Sequence, residues 1–144
     1  MPLNVDHLLR TVATLEQALL EIKQHPASPD DVRFDLYRNA AIKSFELSLE
    51  TAGKLLRKAL KAYEASPRTV DGWVFNDVLR HAGKHGLLSN TEVERWLAYR
   101  ANRNNTAHDY GEGFANDTLK LLPTYLQDVR TLATVLQKAL DAST

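Results

Sequence analysis

The 144-residue chain has the length of one domain, and with 44% hydrophobic and 25% charged residues it can bury roughly two thirds of its unfolded surface. Its 18 basic and 18 acidic residues cancel, so the whole-molecule field favours no polyanion, and any nucleic-acid contact requires a local basic patch. The absence of cysteine excludes disulfides and thiolate chemistry. With neither a basic-then-apolar leader nor about eighteen consecutive apolar residues, the chain is expected to be cytoplasmic and to have no membrane partner.

Apolar residues at Val5, Leu8, Leu9, Val12, Leu15, Leu19 and Ile22 fall on one helical stripe, which predicts a first helix from Asn4 to Lys23 with Asn4 as its N-cap. His25-Pro26 and Ser28-Pro29 end it, because proline disfavours helical geometry in the residue before it. A second, longer helix is predicted from Asp31 to Tyr63. Its stripe runs through Leu36, Tyr37, Ala40, Ala41, Phe45, Leu49, Ala52, Leu55, Leu56, Ala59 and Tyr63. The opposite face sets Lys43, Lys54, Arg57, Lys58 and Lys61 against Glu46 and Glu50; such a run is ordinarily a solvated face, with RNA contact as the alternative.

Ser66-Pro67-Arg68 interrupts the chain, and a third helix is expected from Asp71 to His85, terminated by Gly86. Ser89-Asn90-Thr91-Glu92 has the form of a capping box and predicts a fourth helix. That helix turns Val93, Trp96, Leu97 and Ala101 toward a core and stops near Gly111 and Gly113. The last helix spans Asn116 to Leu140, with Pro123 expected to kink or divide it. No alternating run competes for a strand. The expected architecture is therefore an all-α, up-and-down antiparallel bundle of four main helices plus a shorter one, a single domain over residues 1–144.

Two lesser signals carry little. His81 and His85 share a helical face, but HAGKH lacks the glutamate of a zinc-protease motif and offers no obvious third ligand, so no metal is expected. The GEGFAN stretch follows a helix where a dinucleotide loop must follow a strand, and Asn116 stands where that loop needs glycine. No cofactor is called for.

Residues 103–110, RNNTAHDY, hold the densest chemistry. On an ideal helix Arg103 and Tyr110 project within roughly 20° of each other, with Arg100 on the same side and Asn104 and His108 in the neighbouring row. Arg103 and His108 diverge by roughly 140°, so a shared site needs side-chain reach, helix distortion or a second copy of the chain. Histidine can act as base or acid near neutrality, and arginine offers a fixed fork of donors to phosphate. Together they meet the needs of RNA cleavage by the 2′-hydroxyl without a metal. From the residues alone, the plainer reading is favoured: Arg103 pairs with a nearby carboxylate, while His108 and Tyr110 bond at a helix end.

The segment RNNTAHDY resembles the Arg-x4-His-x-Tyr signature of the HEPN family, small helical-bundle proteins often encoded beside a minimal nucleotidyltransferase. The stretch from Arg38 to Leu60, RNAAIKSFELSLETAGKLLRKAL, is similar to the long second helix of the branch known as nucleotidyltransferase substrate-binding proteins. The order of elements agrees over nearly the whole chain. Gly53 departs from that branch, where a tryptophan is expected, and the departure would loosen packing of the second helix.

The resemblance implies a homodimer whose facing motifs form a cleft, with Arg103 and His108 catalytic in a metal-independent endoribonuclease. It also implies a toxin role, with the partner nucleotidyltransferase as antitoxin transferring AMP to Tyr110. Asn104 and Arg100 would support the site or hold RNA. The alternative is a noncatalytic subunit that presents a substrate, or itself, to the nucleotidyltransferase.

Overall fold

The stripe that predicts the first helix builds it. Val5, just ahead of α1 (Asp6–Gln24), and Leu8, Val12 and Leu15 within it are almost wholly buried, while Leu9, at the margin of the stripe, is half exposed. The computed structural model describes residues 5–24, 32–106 and 112–142, without the side chains of residues 104–106, 112–116 and 140–142. The expected Asn4 cap lies outside the described residues.

Helix α2 (Val32–Leu60) follows its predicted span and tightens into a 3₁₀ turn, Lys61–Tyr63. Ala41, Phe45, Leu49, Ala52, Leu55 and Leu56 are buried, whereas Leu36 and Tyr63, assigned to the same stripe, are exposed. Gly53 is buried without loosening the helix. A Cβ placed there would collide with the Phe75 ring, so the room left by the missing side chain is taken by an aromatic from a later helix.

The predicted third helix is two. Pro67 opens α3 (Pro67–Asp71), where its missing N–H is no loss. Gly72 closes it, its amide donating back to the carbonyls of Thr69 and Val70. The chain then passes through an extended Val74 before α4 (Phe75–Lys84). Gly86, at φ 77°, ends α4 as expected.

The capping box is present on both sides. The Ser89 N–H donates to Glu92 Oε1 at 3.0 Å and the Glu92 N–H to Ser89 Oγ at 3.1 Å, starting α5 (Asn90–Thr106). Trp96 is fully buried and Val93 and Leu97 pack against the core, but Ala101 faces solvent. Helix α6 (Glu112–Ala142) begins earlier than its apolar stripe, takes in Gly113, and continues undivided past Pro123. That proline is exposed, so the amide bond it forgoes is lost on the wet side of the helix rather than in the core.

The result is an all-α bundle, with no strand among the described residues. Helix α2 packs on α1, α4 and α6. Gly83 abuts Val93 while Phe75 lies under Arg100, so α4 and α5 run antiparallel. Arg95 meets Asp128 and Asn102 meets Thr118, so α5 and α6 do too. Phe45, Trp96, Tyr99 and Tyr125 interlock edge to face at 4.8–5.6 Å where α2, α5 and α6 meet.

Candidate functional site

The last turns of α5 are tied to three other helices. The Arg100 guanidinium lies 5.0 Å over the centroid of the Phe75 ring of α4, a cation–π contact. Asn102 accepts a 3.0 Å hydrogen bond from the Thr118 hydroxyl of α6. Arg103 sets Nη2 at 3.9 Å from Glu46 Oε2 of α2, an ion pair too long for a strong hydrogen bond, with its side chain 31% exposed. Arg103 thus has the nearby carboxylate that the plainer reading asked for, yet keeps a path to solvent. Asn104 is in α5, but its side chain, together with His108 and Tyr110, lies outside the described residues.

One turn deeper, a polar network that the sequence did not single out fixes the helix. Arg95 grips Asp128 through two 2.8 Å hydrogen bonds, and the Tyr99 hydroxyl donates to the same carboxylate at 2.5 Å. Burial alone would push the Asp128 carboxyl up. The hydrogen bonds from Arg95 and Tyr99, with the charge of Arg95, outweigh it and hold the group below the usual carboxylate range. Burial, reinforced by the bond to Asp128, raises the Tyr99 phenol. Tyr125 is likewise raised by burial and shares a 2.6 Å hydrogen bond with Ser48 of α2. These phenols stay protonated and aim the face of α5 that carries Arg103. The available signal was Asp128, a lone carboxylate between the apolar positions Tyr125, Val129 and Leu132.

The basic run on α2 is largely matched by partners within the chain. Lys54 lies 3.9 Å from Glu50, Lys61 pairs with Asp71 at 2.9 Å, and Arg57 donates to the Val70 carbonyl at 3.1 Å. This face therefore favours the solvated reading over an RNA track. His81 and His85, set aside for want of a third ligand, do have one in space: Glu64, at the end of the 3₁₀ turn. No helix among the described residues is long and apolar enough to cross a membrane.

Comparison with known proteins accords with this arrangement. Residues 3–138 match the family described as nucleotidyltransferase substrate binding protein like. A protein of Haemophilus influenzae named "Probable ribonuclease HepT" is 29% identical over 113 residues, covering 76% of this chain and 75% of the relative. A solved Haemophilus influenzae structure, described as a substrate-binding domain of a nucleotidyltransferase, superposes with a TM-score of 0.82 at 26% identity over 93% of this chain and 99% of that one. A crystal structure of a Thermus thermophilus protein gives a TM-score of 0.72 at 27% identity over 90% of this chain and 98% of that one.

Proposed function

The chain belongs to the nucleotidyltransferase substrate-binding protein-like family, and from that premise we propose that it is the toxin of a pair with a minimal nucleotidyltransferase, a metal-independent endoribonuclease silenced by AMP transfer to Tyr110. The observation that carries the reading is Arg103. A permanent cation stands part-exposed at the first position of the Arg-x4-His-x-Tyr segment, against a carboxylate 3.9 Å away. An ion pair of that length contributes no more than about 1 kcal/mol, and the part-exposed guanidinium is within reach of an RNA phosphate. The name of the Haemophilus relative, a ribonuclease, supports the same chemistry.

In the proposed reaction His108 removes the proton of a ribose 2′-hydroxyl, whose oxygen attacks the adjacent phosphorus. Arg103 neutralises the charge that builds on the non-bridging oxygens. The 5′-oxygen departs with a proton from an acid, which leaves a 2′,3′-cyclic phosphate and a 5′-hydroxyl. Because Arg103 and His108 would diverge by roughly 140° on an ideal helix, a homodimer with facing motifs is proposed to supply the complementary group across the cleft. Asn104 and Arg100 flank the bound strand.

Neutralisation is the second half of the proposal. The Tyr110 hydroxyl attacks the α-phosphorus of ATP, held by the nucleotidyltransferase, and pyrophosphate leaves. The added phosphate places negative charge and bulk beside Arg103, where RNA must sit. Tyr110→Phe should keep most of the nuclease activity, since the phenol is neither acid nor base, yet escape silencing. Intact-mass measurement after incubation with the nucleotidyltransferase and ATP should find AMP on the wild type and none on the variant; equal labelling of both would remove Tyr110 as acceptor.

A second reading, the noncatalytic binding subunit, is favoured by the Arg103–Glu46 pair, which gives the arginine a structural partner, and by the description of the Haemophilus structure as a substrate-binding domain. Expression of the chain alone separates the two. Growth arrest that His108→Ala abolishes supports the nuclease, whereas growth unaffected by the wild-type chain supports the subunit.

A further inference from the structure

We propose that Glu64, His81 and His85 form a binding site for one zinc-class divalent transition-metal ion. One ligand atom from each side chain lies within 4.8 Å of the other two. Three atoms no farther apart than that leave a centre at most about 2.8 Å from each, against about 2.0–2.2 Å for zinc bound to imidazole nitrogen or carboxylate oxygen. Closing on an ion therefore asks each ligand to move by less than about 1 Å, which rotation of the Glu64 side chain and a small tilt of the rings can supply.

The imidazoles are held in the attitude that coordination requires. His81 stacks on Trp73 with ring centroids 3.7 Å apart and planes within 2°, and His85 stacks on Tyr63 at 4.4 Å and 17°. A ring packed by its face keeps its nitrogen-bearing edge free, and nitrogen lone pairs lie in the ring plane. His81 lies in the last turn of α4 and His85 is its C-cap, and Glu64 directly follows Tyr63, so the stacking that orients His85 also brings the carboxylate alongside. His81 Nδ1 is buried with no hydrogen-bond partner among the described residues. A buried ring nitrogen without a partner is costly; a bound ion, on it or on the ring's other nitrogen with a matching tautomer, gives the ring a defined role.

Two nitrogens and one carboxylate oxygen suit zinc, cobalt, nickel or copper. Calcium would require six to eight oxygens. The fourth position falls to water. An ion here would clamp the end of the 3₁₀ turn to the C-terminal turn of α4. The clamp is remote from RNA cleavage: Gly83 packs on Val93, and Arg103 is roughly 15 Å farther along α5. Its success or failure thus leaves the proposed nuclease untouched.

The test uses the full chain stripped of metal and titrated with Co²⁺, followed by visible absorption, and with Zn²⁺, followed by calorimetry and thermal unfolding. One equivalent should bind saturably and Zn²⁺ should raise the melting temperature. Glu64→Gln and His85→Gln should each weaken binding by about tenfold or more, while His7→Ala on α1 should not. Nitrogen NMR of the wild-type histidine rings serves if a variant fails to fold: Zn²⁺ should shift His81 and His85. No saturable binding, equal binding by the Glu64 and His85 variants, or shifts confined to other histidines would overturn the site.

Discussion

Midway along α5, Arg95 and Tyr99 close on Asp128 at 2.5–2.8 Å, whereas one turn later Arg103 rests 3.9 Å from Glu46 and Arg100 lies on a ring face. The first set is short and charge-assisted, with Asp128 and Tyr99 buried and the Arg95 side chain part-exposed. The second is longer, and its arginine is likewise part-exposed. One helix thus carries a short, charge-assisted network and, next to it, a longer ion pair and a cation–π contact. Under the proposed function that difference is useful: a charge that meets a substrate is served by longer contacts, on a backbone anchored by shorter ones.

The largest test of that contrast is Asp128→Ala, which leaves the buried Tyr99 phenol without its acceptor and frees a part-exposed guanidinium, and should cost about 2 kcal/mol in denaturant unfolding. A loss below about 1 kcal/mol would mean the network is incidental. Its pH dependence has a definite sign. The folded carboxyl is held below its ordinary value, so its contribution is complete above the unfolded value of about 4 and fades as pH falls through the depressed folded one. The stability gap between wild type and Asp128→Asn should therefore be widest near neutrality and narrow below about pH 4.

A smaller effect is expected at the start of the same helix. Ser89→Ala removes the acceptor for the Glu92 amide and should cost about 1 kcal/mol, with little change at Arg103 because the Asp128 network intervenes. Smallest in stability is Glu46→Gln, at no more than about 0.5 kcal/mol. Under the proposed function it should tighten RNA binding in a filter or fluorescence assay by releasing Arg103 from competition. Weaker binding would mean that Glu46 orients the arginine rather than merely resting against it.

Much of this frame was legible in the sequence, because the stripes of α1, α2 and α6 and the Ser89–Glu92 box are local patterns with local causes. The division of α3 from α4 was missed because Pro67 at a first turn and Gly72 at a cap are also compatible with loop. That Pro123 does not divide α6 was not legible, because its cost depends on which side of the helix meets water. Asp128 and Glu64 were missed for a different reason: a single carboxylate reads as surface charge until the fold brings Arg95 and Tyr99 to one and two imidazoles to the other. Gly53 shows the converse, a local departure from the family pattern absorbed by Phe75, which is distant in sequence.

The central claim is tested most directly by cleavage of a mixed RNA substrate by purified wild type, Arg103→Ala and His108→Ala, each in excess chelator and each checked for retained helicity. Wild type should cut RNA undiminished by the chelator and leave cyclic-phosphate ends, and both variants should be inactive while folded. Cleavage that vanishes with chelator and returns with a divalent ion, or that survives in either variant, would contradict it.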